Sequence, residues 1–263
     1  MAPMSPDELV AAKAGRRVSM CIPARDEAAT VGDVVRAGLA ASPVVDEVVV
    51  VDDGSNDGTG AAAADAGARV IRGDGRGKGA AMRRAVAEVS ADIVVFADAD
   101  LRGFSAEHIR RLVTPLLTDP GIHLVKATYD RMLDGRPGEG GRVNDLVARP
   151  LLRVLFPELA WVRQPLGGEF AARRSTLTAL SFVEGWGVDV GLVIDVAGAY
   201  GPASIAQIDL GERRHTNKAL AELTPQAEVV LRTVLARAGL GDPVAQLPPL
   251  DSESRPTRAA RTA

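Results

Sequence analysis

Apolar runs and amphipathic stretches alternate along the first half of the chain. Runs with the length of a buried strand recur, and a stretch with helical spacing of its apolar positions follows each one. The predicted strands span residues 17–22, 47–51, 69–71 and 92–97. The predicted helices span residues 28–41, 59–66, 79–89 and 105–117, with Ser105 as the N-cap of the last. This alternation predicts an α/β fold in which helices cover both faces of a mostly parallel sheet.

The pattern of the second half is less regular. Strands are predicted at 124–128 and 204–210, and helices at 143–155, 187–199 and 219–238. Pro150 should break or offset the first of these helices, because proline lacks an amide hydrogen. Glycine and proline are frequent in 134–141, which indicates a loop. Residues 241–263 are predicted to form a disordered tail, because the end of the chain is rich in Ser, Arg, Thr and Ala.

Composition narrows the class of protein. Hydrophobic residues make up 46% of the 263 residues and aromatic residues only 3%, so Val, Leu, Ile and Ala must fill the core. The net charge of −3 gives no basic excess that would favour nucleic acid as a partner. Cys21 is the single cysteine, which excludes an intrachain disulfide and favours a buried thiol. Without a long apolar run or a signal-peptide pattern, we expect a cytoplasmic protein that needs no membrane.

The most informative polar pair is Asp98 and Asp100, directly after the fourth predicted strand. Open α/β sheets bind ligands at the carboxyl ends of their strands, and alternate residues of an extended segment project to the same side. The two carboxylates can therefore hold one hard divalent cation, which in turn holds a diphosphate. Aspartates also end strands and turns in many proteins, so this pair needs support from the rest of the chain.

Polar loops also follow the first two predicted strands. Asp26 and Glu27 can bind a nucleobase by hydrogen bonding, or they can favour the N-terminus of the next helix. Asp52 or Asp53 can accept hydrogen bonds from a uracil or a ribose, or they can belong to a polar turn.

A glycine-rich loop, residues 72–79, precedes the fourth helix. Its backbone amides and Lys78 can face a phosphate, although a mobile surface loop fits the pattern as well. The loop is not a P-loop, because Gly79 takes the place of the metal-binding Ser or Thr after the lysine.

Two further candidates lie in the second half. Residues 141–144 open a helix and include Arg142, and free amides beside a guanidinium make a good anion site. His215 follows a strand, and a loop histidine can reach a metal that carboxylates already hold. His108 is expected to be solvated and His123 to be structural.

Taken in order, these motifs resemble those of nucleotide-sugar-dependent glycosyltransferases of the GT-A fold. The motifs of the first half are at 22–27, 51–55, 77–79 and 98–100. The second half resembles the glucosyl-3-phosphoglycerate synthases, which actinobacteria use to make the precursor of glucosylglycerate. The motifs that carry this narrower resemblance are at 141–143, 149–152, 164–169, 187–192 and 208–211, followed by His215.

The resemblance implies a GT-A, Rossmann-like sheet with a smaller acceptor-binding C-terminal part. The implied activity is a metal-dependent, retaining transfer of glucose from UDP-glucose to the 2-hydroxyl of 3-phosphoglycerate. Mg²⁺ or Mn²⁺ and a homodimer are implied with it. The implied organisation is an N-terminal arm at 1–16, a nucleotide-sugar-binding subdomain at 17–120, an acceptor-binding subdomain at 121–240 of the same domain, and the tail.

The resemblance also implies roles for individual residues. The implied donor-binding residues are Pro23, Ala24, Arg25, Asp26, Glu27, Asp53, Ser55, Lys78, Asp98, Leu166, Gly167 and Gly168. The implied acceptor-binding residues are Gly141, Arg142, Val143, Asn144, Arg213 and Asn217. Asp100, Glu169 and Asp189 are implied as catalytic, and Asp100 and His215 as metal ligands.

Some residues depart from the pattern of that family. Asp26, Asn144, Asp189 and Trp186 stand where the family has Asn, Thr, Glu and Tyr. The Asn144 difference concerns the acceptor more than the donor, so another nucleotide sugar or another phosphorylated or carboxylated acceptor stays open.

The alternatives to a glycosyltransferase are a nucleotidyltransferase and a non-catalytic sugar-nucleotide-binding protein. A nucleotidyltransferase would carry a glycine- and arginine-rich loop after the first strand, where this chain has residues 23–27. A non-catalytic sugar-nucleotide-binding protein would not need Asp98, Asp100 and His215 together.

Overall fold

A computed structural model describes residues 4–133, 136–137, 141–214 and 220–253. Within these ranges no helix has the length and apolar character that crossing a bilayer requires.

One mixed sheet forms the centre of the molecule. The strands are β1 (Val18–Ala24), β2 (Glu47–Asp52), β3 (Arg69–Arg72), β4 (Ile93–Phe96), β5 (Leu124–Leu133), β6 (Arg136–Pro137), β7 (Phe170–Arg173), β8 (Phe182–Val183), β9 (Ile205–Arg214) and β10 (Gln246–Leu247). The main sheet has the order β3-β2-β1-β4-β7-β5-β6, with β9 also paired to β5. β8 and β10 form a separate antiparallel pair.

Helices cover both faces of this sheet. They are α1 (Pro6–Lys13), α2 (Val31–Leu39), α3 (Thr59–Asp65), α4 (Lys78–Glu88), α5 (Ala106–Thr118), α6 (Arg149–Leu155), α7 (Arg174–Ala179), α8 (Val188–Tyr200), α9 (Leu220–Arg237) and α10 (Leu250–Glu253). A π-helical turn at Asn144–Ala148 and 3₁₀ turns at Pro157–Leu159 and Pro202–Ser204 complete the described elements.

The first half has the predicted strand–helix order. β1 pairs in parallel with β2 and β4, and β2 with β3, so the carboxyl ends of these strands meet at one edge of the sheet. The predicted α/β class, with a mostly parallel sheet between helices, is confirmed.

The core lies on both faces of the sheet because side chains alternate along each strand. In β4, Val94 and Phe96 belong to one apolar cluster, whereas Ile93 and Val95 belong to the cluster on the opposite face. Cys21 of β1 is fully buried, as predicted, and burial raises the pKa of its thiol.

The sequence did not predict β7. This strand of four residues runs antiparallel to both β4 and β5 and lies between them. It is too short for a periodicity signal, and its pairing depends on partners far away in the chain. Its insertion separates the parallel half of the sheet from the parallel pair β5–β9.

Pro150 has the effect that its chemistry predicts. The helix expected at 143–155 is divided into the π-helical turn and α6, with the proline in the first turn of α6. The backbone before Pro150 is already helical, and the amide of Arg149 donates to the carbonyl of Asn144, so the π-helical turn is the offset that precedes the proline.

Two described segments near the ends of the chain form elements that the sequence did not predict. α1 carries a capping box between Ser5 and Glu8 and contacts α5. Within the predicted tail, β10 pairs with β8 and α10 contacts α7. The expectation of disorder from residue 241 is therefore wrong for these two elements, while residues 254–263 lie outside the described ranges.

Candidate active site

A cavity of about 470 Å³ opens at the carboxyl ends of β1, β2 and β4. It brings together predicted residues from both halves of the chain, which are Pro23, Ala24, Arg25, Asp26, Glu27, Asp53, Lys78, Asp98, Asp100, Gly141, Arg142, Val143, Asn144, Leu166, Asp189 and Arg213. Ser55, Gly167, Gly168 and Glu169 do not line it. His215 and Asn217 lie outside the described residues.

The loops after β1 and β2 hold each other in place. The amide of Asp26 donates to Oγ of Ser55 at 3.0 Å, and the amide of Asn56 donates to Oδ1 of Asp26 at 2.9 Å. Asp26 has a φ of 56°, in the left-handed region where Asp and Asn are among the few tolerated residues. Ser55 therefore supports the cavity from behind its wall.

The carboxylate of Asp53 holds the glycine-rich loop at the end of β2 by hydrogen bonds. Its Oδ1 accepts the amide of Gly75 and its Oδ2 accepts the amide of Gly77, both at 2.8 Å. The carboxylate is buried, yet its residue still lines the cavity.

The amides at the start of α4 are also engaged. The amides of Gly79 and Ala80 donate to the carbonyl of Glu184 at 2.9 and 3.3 Å. A β-carbon at Gly79 would overlap the carbonyl of Val183, so this contact requires glycine. The amides of Gly75, Gly77 and Gly79 are therefore not free to face a phosphate as expected, whereas Lys78 of the same loop lines the cavity.

Lys78 lies between two carboxylates from distant parts of the chain. Its Nζ is 2.9 Å from Oδ1 of Asp98 and 2.9 Å from Oδ2 of Asp189. Burial alone would lower the pKa of the Lys78 ammonium, but Asp189 and Asp98 outweigh burial and hold that pKa above its ordinary value.

The site shifts the pKa values of these two carboxyl groups in opposite directions. Burial raises the pKa of the Asp189 carboxyl, whose Oδ1 has no hydrogen-bond partner among the described atoms. Burial would also raise the pKa of Asp98, but Lys78 and then Arg213 hold it below the ordinary range. The lysine thus favours the ionised form of both carboxylates.

Asp100 is more accessible than Asp98. Half of its side chain is exposed (51%), and its Oδ1 is 3.7 Å from Nη2 of Arg213. A hard carboxylate open to a cavity is a suitable ligand for Mg²⁺ or Mn²⁺. The part of the chain that the structure describes contains no cluster of three His, Cys, Asp or Glu side chains that could hold a metal ion. A cation at Asp100 would therefore need further ligands from the bound substrate and from outside the described residues.

Arg213 connects the cavity wall to a buried carboxylate. It forms an ion pair with Glu169 and donates to the hydroxyl of Tyr129 at 2.9 Å. Burial would lower the pKa of the guanidinium, but Glu169 together with Tyr129, Asp98 and Asp100 outweighs burial and raises that pKa. Glu169, implied as catalytic, is thus buried behind Arg213, and Tyr129 is a cavity residue that the sequence did not indicate.

The predicted anion loop forms another side of the cavity. Asn144 is 2% exposed, and its Nδ2 donates to Oδ1 of Asp145 at 3.0 Å and to the carbonyl of Arg163 at 3.2 Å. Because both partners are acceptors, the amide nitrogen must face them. Arg142 and Val143 precede it on the same wall.

Helix α9 closes the cavity with residues that the sequence analysis missed. They are Leu223, Gln226 and Val230. Their spacing of three and four residues places them on one face of the helix, so an amphipathic pattern was the available signal. Trp186, 46% exposed, also lines the cavity, with Nζ of Lys78 5.6 Å from its ring centroid.

Comparison with known proteins gives consistent similarities in sequence. The model of the Glycosyl transferase family 2 matches residues 19–157. A glucosyl-3-phosphoglycerate synthase of Mycolicibacterium paratuberculosis is 45% identical over 252 residues, which cover 89% of this chain and 76% of the relative. The synthase of Petrotoga mobilis is 37% identical over 237 residues, which cover 84% of this chain and 73% of the relative.

Solved structures give the same similarity in three dimensions. A crystal structure of the Mycobacterium tuberculosis glucosyl-3-phosphoglycerate synthase, in complex with Mn²⁺, UDP and glucosyl-3-phosphoglycerate, matches with a TM-score of 0.89 at 40% identity and covers 96% of this chain and 97% of that one. A second structure of that enzyme, in complex with Mn²⁺, UDP-glucose and phosphoglyceric acid, has a TM-score of 0.88 at 40% identity and covers 96% of each chain.

Proposed function

Because the chain belongs to glycosyltransferase family 2 and, within it, to the glucosyl-3-phosphoglycerate synthases, we propose that it transfers glucose from UDP-glucose to the 2-hydroxyl of 3-phosphoglycerate. The observation that carries this function is the shared cavity. It joins the strand-end loops and Lys78 on one side to the Arg142 loop on another. The solved relatives hold UDP-glucose and phosphoglyceric acid together, which supports a donor and an acceptor in one such cavity.

The donor is proposed to bind at the carboxyl ends of β1, β2 and β4. The nucleoside would lie against residues 23–27, with Asp53 and Ser55 at the end of β2, and Asp98 would meet the ribose or metal-bound water. Lys78 carries a full positive charge at neutral pH, because its pKa lies above the ordinary value. That charge would meet the diphosphate, which is the leaving group.

A divalent cation is proposed at Asp100, with His215 and the diphosphate as further ligands. When bound, Mg²⁺ or Mn²⁺ would supply compensation for the negative charge that develops on the leaving diphosphate. The half-exposed carboxylate of Asp100 supports this assignment.

The acceptor is proposed to bind at residues 141–144, with Arg213 and Asn217. A phosphate and a carboxylate on one small molecule match guanidinium groups. Arg213 is held in place by Glu169 and Tyr129, so it would present its charge with little loss of side-chain freedom.

Retention is proposed to follow from attack on the face from which the diphosphate departs. The buried carboxylates nearest the cavity are engaged, Asp189 by Lys78 and Glu169 by Arg213. A carboxylate held in an ion pair is a weaker nucleophile than a free one. Asp189 is instead proposed to contact the transferred sugar, and the transition state is expected to resemble an oxocarbenium ion.

A cytoplasmic homodimer is proposed as the working form. Leu146 and Val154, 74% and 76% exposed, lie on the helical segment 144–155 and would be available to a second copy. Single exposed apolar side chains are common, so sedimentation or light scattering is needed to measure the mass of the particle.

One experiment tests the proposed reaction directly. The purified protein is incubated with UDP-glucose and other nucleotide sugars, each against 3-phosphoglycerate and other phosphorylated or carboxylated hydroxy compounds, with and without EDTA. We expect UDP and a glucosylated 3-phosphoglycerate by mass spectrometry, and loss of both products with EDTA. Transfer to a different acceptor, or turnover that EDTA leaves unchanged, contradicts the proposal.

A further inference from the structure

Lys126 is a buried cation that no motif of the sequence indicated. It lies in β5 and is 1% exposed, and its Nζ donates to the main-chain carbonyl of Gly167. The ammonium is also 4.9 Å from the ring centroid of Phe170. Burying an ammonium is unfavourable unless strong partners compensate, so its position needs an explanation beyond packing.

The other buried lysines have the compensation that Lys126 lacks. Lys13 pairs with Asp46 at 2.6 Å, and Lys78 pairs with two carboxylates. Among the described residues Lys126 forms no ion pair, and its hydrogen-bond partner is a neutral carbonyl. Burial accordingly lowers the pKa of its ammonium to about 8, although Asp189, Glu169 and Asp98 lie close enough to raise it.

The carbonyl that Lys126 holds belongs to a segment, residues 163–169, that spans the two sides of the cavity. At one end the carbonyl of Arg163 accepts from Asn144 of the anion loop. At the other end Gly168 lies so close to Asp98 that a β-carbon there would overlap its carboxylate. Leu166, between these contacts, lines the cavity.

The transferred sugar must lie between the leaving diphosphate and the attacking hydroxyl. With the diphosphate near Lys78 and the acceptor near Arg142, the segment 163–169 connects the two sides, because it contacts Asn144 at one end and Asp98 at the other, and its Leu166 lines the cavity. The Gly167 carbonyl is therefore a point at which a small shift would move the sugar relative to its acceptor, and reaction rates respond strongly to such shifts.

We propose that Lys126 is a positioning residue for the glucosyl transfer, acting through the Gly167 carbonyl to hold the wall at Leu166 against the donor sugar. This inference rests on the proposed function. Lys126 does not line the cavity and would act through the wall at Leu166. Because that wall is proposed to lie against the sugar, replacing Lys126 should affect binding of the sugar portion of the donor and not of its nucleotide.

The test compares K126M, an unbranched side chain that is one atom shorter and lacks the charge and donors, with K13M as a matched control. Lys13 is another buried lysine that donates to a carbonyl, that of Pro43 at 3.1 Å, and it does not line the cavity. Affinities for UDP and for UDP-glucose are measured by calorimetry with Mn²⁺, and kcat is measured with saturating substrates. For K126M we expect UDP-glucose affinity and kcat to fall about ten-fold, with UDP affinity unchanged within about two-fold.

Several results would overturn the role of Lys126. They are an unchanged kcat with unchanged UDP-glucose affinity, equal weakening of UDP and UDP-glucose binding, or the same loss in K13M. If K126M does not fold, K126Q tests the converse: it keeps an N–H donor for the Gly167 carbonyl, so kcat and UDP-glucose affinity should stay within about three-fold of wild type, and a ten-fold fall of either would overturn the role. If the wild-type protein transfers glucose to no acceptor, the proposed function fails, while the binding comparison still tests Lys126.

Discussion

The ammonium of Lys78 and the carboxylate of Asp189 are 2.9 Å apart, although 111 positions separate them in the chain. This contact ties the first turn of α4 to the first turn of α8 and crosses the proposed diphosphate site. A buried ion pair of this kind contributes little to stability as a pair, but removing one partner leaves the other uncompensated.

Removal of Lys78 should therefore destabilise the protein more than removal of both partners. We expect K78M to lower the free energy of unfolding by about 3 kcal/mol, because the buried Asp189 loses its ion-pair partner. The double variant K78M/D189N should recover much of that loss. Denaturant unfolding of the two single variants and the double variant measures the coupling, and strictly additive effects would contradict the pairing.

Arg142 is expected to recognise the acceptor and not the donor. R142A should raise the acceptor KM about 100-fold, the order expected for losing a charge-assisted contact, with the donor KM changed by less than about three-fold. R149A is the matched control, because Arg149 pairs with Asp145 at 3.1 Å and does not line the cavity. Steady-state kinetics with each substrate varied separately gives the comparison, and a rise in the donor KM alone would reject the assignment.

Asp26 is expected to tolerate asparagine but not a β-branched residue. D26N keeps an acceptor for the amide of Asn56 and suits the left-handed backbone, so its stability and donor KM should stay close to wild type. D26V should lose about 2 kcal/mol, because valine is strained at this φ and makes no such bond. D26G separates the two effects, since it relieves the backbone and still lacks the acceptor. Unfolding curves that rank D26V with D26N would contradict this account.

Because Lys126 is buried, the free energy of unfolding should depend on pH in the alkaline range. Its pKa is about 8 in the folded protein against an ordinary value of 10.5, so between these values the unfolded chain binds more protons. The stability of the wild type should therefore rise with pH over that window relative to K126M, by up to about 3 kcal/mol. Below pH 8 the lysine is protonated in both states, and the full unfavourable effect of its burial is present.

The groups that face this ammonium are Asp189 of α8, Lys78 of α4, Asp98 after β4 and Glu169 before β7. The wild type and K126M both contain these groups. The difference between their stabilities as a function of pH therefore reports the titration of Lys126 alone. Parallel curves from pH 7 to 10 would show that the ammonium is not buried as described.

The cavity residues that could be predicted from the sequence lie after the ends of strands or at the starts of helices. Asp98, Asp100, Lys78 and Arg142 each follow a strand or open a helix, where topology alone brings ligand-binding groups together. These local signals need no knowledge of distant contacts.

The residues that the sequence missed depend on contacts between distant segments. Tyr129 and Lys126 lie within β5, and their partners Arg213 and Gly167 come from later segments of the chain. A lysine within the apolar run 124–128 was the available signal for one of them. The engagement of Asp53 by loop amides also has no signature in composition or spacing, because it depends on how the loop folds back.

The pairing of β10 with β8 has a consequence for exchanging parts between members of this family. The amide of Glu184 donates to the carbonyl of Ala245, and the carbonyl of the same Glu184 receives the amides at the start of α4. Arg83 of α4 also donates to the carbonyl of Pro248. The two halves of the chain are thus not interchangeable modules. A chimera that takes its acceptor half from a relative would also have to take residues 245–248, or the loop that carries Lys78 would lose its support.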